Sequence, residues 1–281
     1  MLGAMSLAPD LNADAPPRAQ GAVSIAARLN GGRTRLVRLR QQGSLKALLP
    51  HPRALALDAV LLNTAGGLTG GDRMAIDVEA GAGARLVVSS QAAERAYRTR
   101  AGAPEPARFD ARLAVGEGAR LDWLPQETIL FEGCRLARTL RADLHPAATL
   151  LAVEPLLLGR LARGERLRDA GFSDRWEVRR GGRLAFADAL RLEGDLEARM
   201  DRAAVGGGTR ALATVLLVAP TAEAALRPLR ALLPPAGGAS LVREGVLVAR
   251  LLAADGFALR QGLLPIITLL AGGPAPRVWT L

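Results

Sequence analysis

Four short segments of this chain read small-small-polar-leucine: Gly83-Ala84-Arg85-Leu86, Gly118-Ala119-Arg120-Leu121, Ala147-Ala148-Thr149-Leu150 and Gly181-Gly182-Arg183-Leu184. Their leucines stand 35, 29 and 34 residues apart. Each segment follows a short run of alternating apolar and polar residues and starts another, as 76–78 leads into 86–88 and 113–115 into 121–123. A strand–turn–strand unit recurring at such a period buries its apolar face by stacking on its neighbours. Short alternating runs bounded by turn residues, with little helical periodicity, make the chain mainly β. The expected architecture is a set of stacked β-layers, β-helix-like, with about two α-helices on the C-terminal side.

Those helices are expected at 221–233, with Thr221 as N-cap and Glu223 in the first turn, and at 257–270, where Pro265 would end or kink the helix. Residues 241–252 alternate as a strand. Near the other end, Val23, Ile25, Ala27 and Leu29 share one face, and Asn30-Gly31-Gly32 signals a hairpin into an arginine-studded strand. Residues 1–20, rich in Ala, Pro and Asp and without periodicity, read as a disordered tail. Residues 21–281 read as one domain.

Residues 61–72 concentrate four glycines in six positions, Gly66, Gly67, Gly70 and Gly71, with Asp72 next. Glycine serves where the backbone takes φ > 0 or approaches something closely. Gly66 and Gly71 have P-loop spacing, but Asp72 and Arg73 stand where Lys and Ser/Thr would reach phosphate and magnesium. No helical pattern follows to present an N-terminus to an anion. The segment therefore reads as a tight turn between two strands, with Asp72 bonding backbone N–H groups.

Composition narrows the chemistry. The single cysteine, Cys134, excludes an intrachain disulfide and thiolate metal clusters. The two histidines, His51 and His145, both adjoin proline and fit exposed turns. A permanent transition-metal site, which favours imidazole or thiolate, is not expected. The net charge of +10 implies acidic partners. Aromatic residues at 3% leave few stacking platforms for nucleic acid, which is not expected as a partner. No apolar run reaches the roughly 18 residues of a membrane helix, and no signal peptide is evident, so a cytoplasmic protein is expected.

Three acids interrupt apolar stretches: Glu127, Glu154 and Asp188. A buried carboxylate is costly unless paired or hydrogen-bonded. Each could pair with one of the many arginines. Alternatively, together with Asp72, they could line a polar path whose hard oxygen ligands hold a divalent cation weakly.

The ordered motifs add a resemblance. Gly66-Gly67-x-x-Gly70-Gly71-Asp72, Ser89-Ser90-Gln91-Ala92-Ala93 with Tyr97-Arg98, Leu124-Pro125-Gln126-Glu127-Thr128-Ile129-Leu130-Phe131, Gly159-Arg160-x-x-Arg163-Gly164-Glu165 and Pro276-Arg277-Val278-Trp279 follow one another along the chain. In this order they resemble the urease accessory protein D family, from about residue 21 to the end. The resemblance implies a β-helix-like fold with a small helical part and no enzymatic activity. It implies a scaffold that binds apo-urease together with accessory protein F, which recruits the GTPase G, during GTP-dependent nickel insertion. An internal acid-lined nickel path is part of that picture, and by motif position its acids fall on Asp72, Glu154 and Asp188. Nickel would be in transit, with no permanently bound cofactor. Glu94-Arg95 departs from the family's frequent small residue and lysine, and Glu154 and Asp188 stand where some relatives carry the other carboxylate. A competing reading is an enzyme acting on an anionic substrate, with Asp72 as base and arginines as clamps.

Overall fold

The computed structural model describes residues 18–50, 55–100 and 105–280. Seventeen strands run through it: β1 (Gln20–Asn30), β2 (Arg33–Gly43), β3 (Leu45–Leu48), β4 (Leu57–Asn63), β5 (Arg73–Ala80), β6 (Arg85–Ser90), β7 (Glu94–Ala96), β8 (Ala107–Val115), β9 (Arg120–Leu124), β10 (Thr128–Leu130), β11 (Arg135–Leu144), β12 (Thr149–Leu158), β13 (Ala170–Arg180), β14 (Arg183–Gly194), β15 (Ala211–Val218), β16 (Gly237–Arg243) and β17 (Val246–Ala253). The α-helices are α1 (Leu196–Asp201), α2 (Ala222–Leu232) and α3 (Gly256–Ala271), with single 3-10 turns at Leu161–Arg163 and Arg277–Trp279.

Two sheets face each other. An outer sheet has the order β14-β13-β11-β8-β5-β1-β2, and a middle sheet has the order β16-β17-β15-β12-β9-β6-β4-β3, with β7 and β10 attached beside β12. From β4 to β13 the chain alternates between them, and neighbouring coils pair in parallel within each sheet. This is the stacked-layer architecture the repeat implied. The repeat leucines continue a ladder that starts at Leu57: Leu57 lies beside Leu86, Leu86 beside Leu121, and Leu121 beside Leu150. The small residues before them make the turns from outer to middle sheet.

The fourth copy behaves differently. Gly181 and Gly182 take φ of +57° and +76° and close the β13–β14 hairpin within the outer sheet. Two consecutive left-handed residues match the twist of an antiparallel hairpin. Leu184 is left exposed, and the parallel stack ends there.

One core fills the space between the sheets, with Ile25, Ile76, Leu113, Leu140 and Trp176 meeting Leu86, Leu121, Trp123 and Leu150. A second core lies on the other face of the middle sheet, where Val153, Val215 and Leu217 meet Leu259, Leu263, Ile266 and Ile267 of α3, and Trp279. The middle sheet is thus covered on both faces, which is why β15 reads as an unbroken apolar run and is buried at all eight positions.

The two anticipated helices are present as α2 and α3. Thr221 makes no side-chain cap on α2; Glu223 instead accepts the Gly245 N–H. α3 continues through Pro265 to Ala271, held by its apolar face, and stops at Gly272 with φ +68°. The six-residue α1 is an addition to these, too short to leave a periodic signal. The run at 241–252 is two strands, β16 and β17, joined at Gly245. Residues 18–20, expected in the tail, are already tied down: the Arg73 N–H donates to the Ala19 carbonyl at 3.0 Å. Residues 1–17 and His51 lie outside the described residues, and His145 is exposed in a turn. Among the described residues no helix is long and apolar enough to cross a membrane.

Candidate functional site

The stack holds a partly open cavity of about 280 Å3 between the two sheets. Its polar lining comes from Asn63, Ser90, Gln91, Glu94, Arg95, Gln126, Thr128, Arg138 and Glu154, beside apolar residues such as Leu45, Leu61, Ile76 and Phe109. The elements that supply these groups are strands of successive coils and the loops joining β6 to β7 and β9 to β10, so parallel stacking brings residues far apart in sequence to one chamber.

At its inner end Glu154 projects from β12 of the middle sheet toward Arg138 of β11 in the outer sheet. Glu154 is 3% exposed. Its Oε1 accepts from Trp123 Nε1 at 2.8 Å, and its Oε2 lies 2.9 Å from Arg138 Nε. Arg138 aims its own hydrogen bonds elsewhere, from Nε and Nη2 to both oxygens of Asp174 at 3.1 and 2.6 Å. Glu154 Oε2 therefore accepts no hydrogen bond. Burial pushes the Glu154 carboxyl up to about 7; Arg138 pulls against this, and the Asp174 charge adds to the push. Burial disfavours the Arg138 cation, but Asp174 and then Glu154 outweigh it and hold the guanidinium charged. One guanidinium between two carboxylates leaves an excess negative charge that a proton or a cation can balance.

At the other end is Glu94, on β7. Asn63 Nδ2 donates to it at 3.1 Å and the Arg95 N–H at 3.0 Å. Burial raises its pKa above the usual carboxylate value. The chamber thus presents two carboxylates to its interior, both with oxygen donors of the kind that bind a divalent cation in exchangeable fashion. Among the described residues no three Asp, Glu, His or Cys side chains gather as a metal cluster. Cys134 is buried, and burial pushes its thiol up to about 11, so it is not a ready thiolate.

Asp72 and Asp188 do not line this chamber. Asp72 is 4% exposed and both its oxygens are engaged by backbone: the Ala19 N–H donates to Oδ1 and the Thr69 N–H to Oδ2, each at 2.8 Å. It holds the glycine loop, which leads into a strand and not a helix. The loop packs tightly on residues 95–97, with Leu68 bonded to both Arg95 and Tyr97 through the backbone. A Cβ on Gly67 would lie 2.3 Å from the Tyr97 ring, and Gly67 has φ +152°, so no larger residue fits. Asp72 has no open side toward a substrate, which removes the general base from the enzyme reading. Asp188 is half-buried on β14 and pairs with Arg250 of β17, closing the sheets against each other at their edge. Glu127 pairs with Arg260 of α3 at 3.0 Å. All three acids found in apolar stretches thus have an arginine partner.

Gln126 joins the chamber to the C-terminus. Its N–H donates to Ser90 Oγ at 2.8 Å and its Nε2 to the Val278 carbonyl at 2.7 Å, while its Oε1 accepts from Arg260. Trp279 Nε1 donates to the Leu124 carbonyl at 2.9 Å. The Gly159–Glu165 motif sits at the loop end of the stack. There Arg160 is clamped by Glu165, with Nε and Nη2 donating at 3.0 and 2.9 Å, and lies 4.5 Å over the Phe131 ring. The left-handed Gly164, φ +65°, ends this turn.

Sequence reasoning found Glu154 but not Glu94, Arg138 or Asp174. The missed signal is phase. In the alternation Leu136, Arg138, Leu140 and again in Phe172, Asp174, Trp176, the charge occupies an inward position.

The chain is a layered β-scaffold protein whose interior chamber is lined by residues from three of its five motif segments. The family model described as UreD urease accessory protein matches residues 19–280. Relatives named urease accessory protein UreD are 48% identical over 92% of this chain and all of the Ruegeria pomeroyi protein, and 49% identical over 95% of this chain and 97% of the Rhizobium leguminosarum bv. trifolii protein. A third, from Agrobacterium fabrum, is 46% identical over 94% of this chain and 92% of its own length. The chain belongs to the UreD urease accessory protein family, and so to a family of accessory proteins rather than enzymes.

Proposed function

We propose that this chain is a non-catalytic scaffold for urease maturation, and that nickel passes through its interior on the way to apo-urease. Accessory protein F and the GTPase G complete the assembly in this reading, GTP hydrolysis drives delivery, and the complex works in the cytoplasm. The observation that supports the path is the chamber itself: a partly open space with a mixed apolar and polar wall that includes Glu94 and Glu154, with one Glu154 oxygen free of hydrogen bonds. Oxygen donors fit a cargo that must leave again, because a site built of imidazole and thiolate would hold nickel too tightly. Arg138 beside Glu154 weakens any cation bound there by charge repulsion, which also favours passage. In this assignment Glu154 and Glu94 face the cargo. Asp72 acts from outside by fixing the loop that forms part of the wall, and Asp188 acts by holding the sheets together through Arg250.

The test is co-expression with urease and its other accessory proteins, comparing wild type, Glu154→Gln and Glu94→Gln for nickel content of urease and for recovery of the complex. Glu154→Gln is expected to lower nickel content severalfold while the complex still assembles. Unchanged nickel content in both variants would sink the internal path. Asp72→Asn is expected to reduce soluble protein and nickel together, since its role is in the fold.

A further inference from the structure

Two buried carboxylates compete for one buried cation between the sheets, and only one of them wins its hydrogen bonds. Arg138 of β11 and Asp174 of β13 stand side by side in parallel register, between the apolar pairs Leu136–Phe172 and Leu140–Trp176. Their neighbours show what these inward positions carry elsewhere. A buried ion pair is a weak source of stability compared with apolar residues of the same volume. Stability alone therefore gives no reason for placing a charge pair here.

Each of the two acids is held by an indole. Trp123 Nε1 donates to Glu154, and Trp176 Nε1 donates to Asp174 Oδ2 at 3.1 Å. The guanidinium is what separates them. Its Nε and Nη2 both donate to Asp174, and its Nη1 donates to Thr128 Oγ1 at 3.3 Å. The Phe172 ring centroid lies 5.3 Å from its central carbon. An arginine fork is directional, because two parallel N–H groups match the two oxygens of one carboxylate. Here the fork is committed to Asp174, although Glu154 Oε2 is only 2.9 Å from Nε. Glu154 thus has the cation beside it without its donors, and Oε2 accepts no hydrogen bond on an acid that lines the chamber.

We propose that Asp174 is a positioning residue for the chamber: by holding the Arg138 fork, it leaves Glu154 one oxygen with which to receive a divalent cation. The proposal rests on the nickel-path reading above and adds how the receiving acid is kept available. Asp174 is not part of the chamber wall and does not touch the cargo. Without its charge, Glu154 is the carboxylate left within reach of the fork. The guanidinium then closes on Glu154, and the chamber loses both the open oxygen and the excess negative charge.

The test uses the full chain with nickel ion alone as probe, and bound nickel is measured by equilibrium dialysis. Glu154→Gln defines the share of binding that belongs to the chamber. Asp174→Asn keeps the size and one acceptor but removes the charge. Asp174→Glu keeps the charge and the fork but is one methylene longer. If Asp174 served packing, glutamate would be the worse substitution, because a well-packed interior resists added volume. If it positions Arg138, asparagine is the worse. Arg138→Lys leaves the charge unchanged, but its ammonium has three rotating donors that can serve both acids at once. Each variant is first shown to unfold cooperatively, and Arg138→Lys carries the test if Asp174→Asn does not fold. The expected result is a chamber affinity at least about tenfold weaker in Asp174→Asn and in Arg138→Lys, with Asp174→Glu closer to wild type than Asp174→Asn. Unchanged chamber affinity in Asp174→Asn or Arg138→Lys, or a larger loss in Asp174→Glu than in Asp174→Asn, would overturn the proposal and leave the path reading intact. Nickel binding that Glu154→Gln does not reduce would overturn both.

Discussion

A carboxyl group buried at Glu154 costs the fold stability whenever it is ionised. Its pKa is raised in the folded chain, so between the ordinary value of 4.5 and about 7 the native state binds more protons than the unfolded state. This contribution is fully present below 4.5 and is lost as pH rises through 7. Glu154→Gln removes the charge and with it the dependence. The variant should match wild type near pH 5 and gain on it toward pH 8, by an amount on the order of 2–3 kcal/mol. Urea midpoints of both proteins at the two pH values check this, and parallel pH profiles would count against it. Glu154 was legible as an acid out of place in an apolar run. Its partners were not: Arg138 and Asp174 occupy the inward phase of two other strands, and only the parallel register of those strands makes them neighbours.

At the level of elements, the strands and the repeat were legible because each depends on local rules, alternation and turn glycines. The ladder from Leu57 to Leu150 follows directly from the spacing of the small-small-polar-Leu segments. The fourth segment has the same local pattern, and two consecutive glycines turned it into a hairpin instead. Helices α2 and α3 were visible by their spacing, but what α3 leans on was not. Its Arg260 reaches Gln126, Glu127 and the Trp279 carbonyl, and Trp279 is 1% exposed beneath it. The last residues are therefore a structural buttress for the chamber wall. Trp279→Ala should destabilise the protein by about 3–5 kcal/mol, the usual range for removing a large buried aromatic, read as a lowered denaturation midpoint. A midpoint within about 1 kcal/mol of wild type would mean that the C-terminal turn does not hold α3.

For the molecule as a whole, protection should follow the layers. The middle sheet is covered on both faces and the outer sheet on one, so amide exchange is expected to be slowest in β12 and β15 and fastest in β2 and β14 at the outer sheet's edges. Equal protection across the two sheets would contradict the layered description. Fold class was readable at this scale, and so was the family, through motifs spread along the chain. The chamber was not, because a cavity is a property of register and not of any motif; Asp72, the most conspicuous acid in the sequence, stands outside it. The order of the stack also bears on how the protein is made. Each coil pairs with the one synthesised about 30 residues before it, so a chain leaving the ribosome can lay down its layers in sequence. Gln126 is made with the middle coils, while Arg260 and the 276–280 turn that brace it follow more than 130 residues later. The wall is thus finished only after the coils it closes have been laid down, so the chamber is completed later than the stack that forms it.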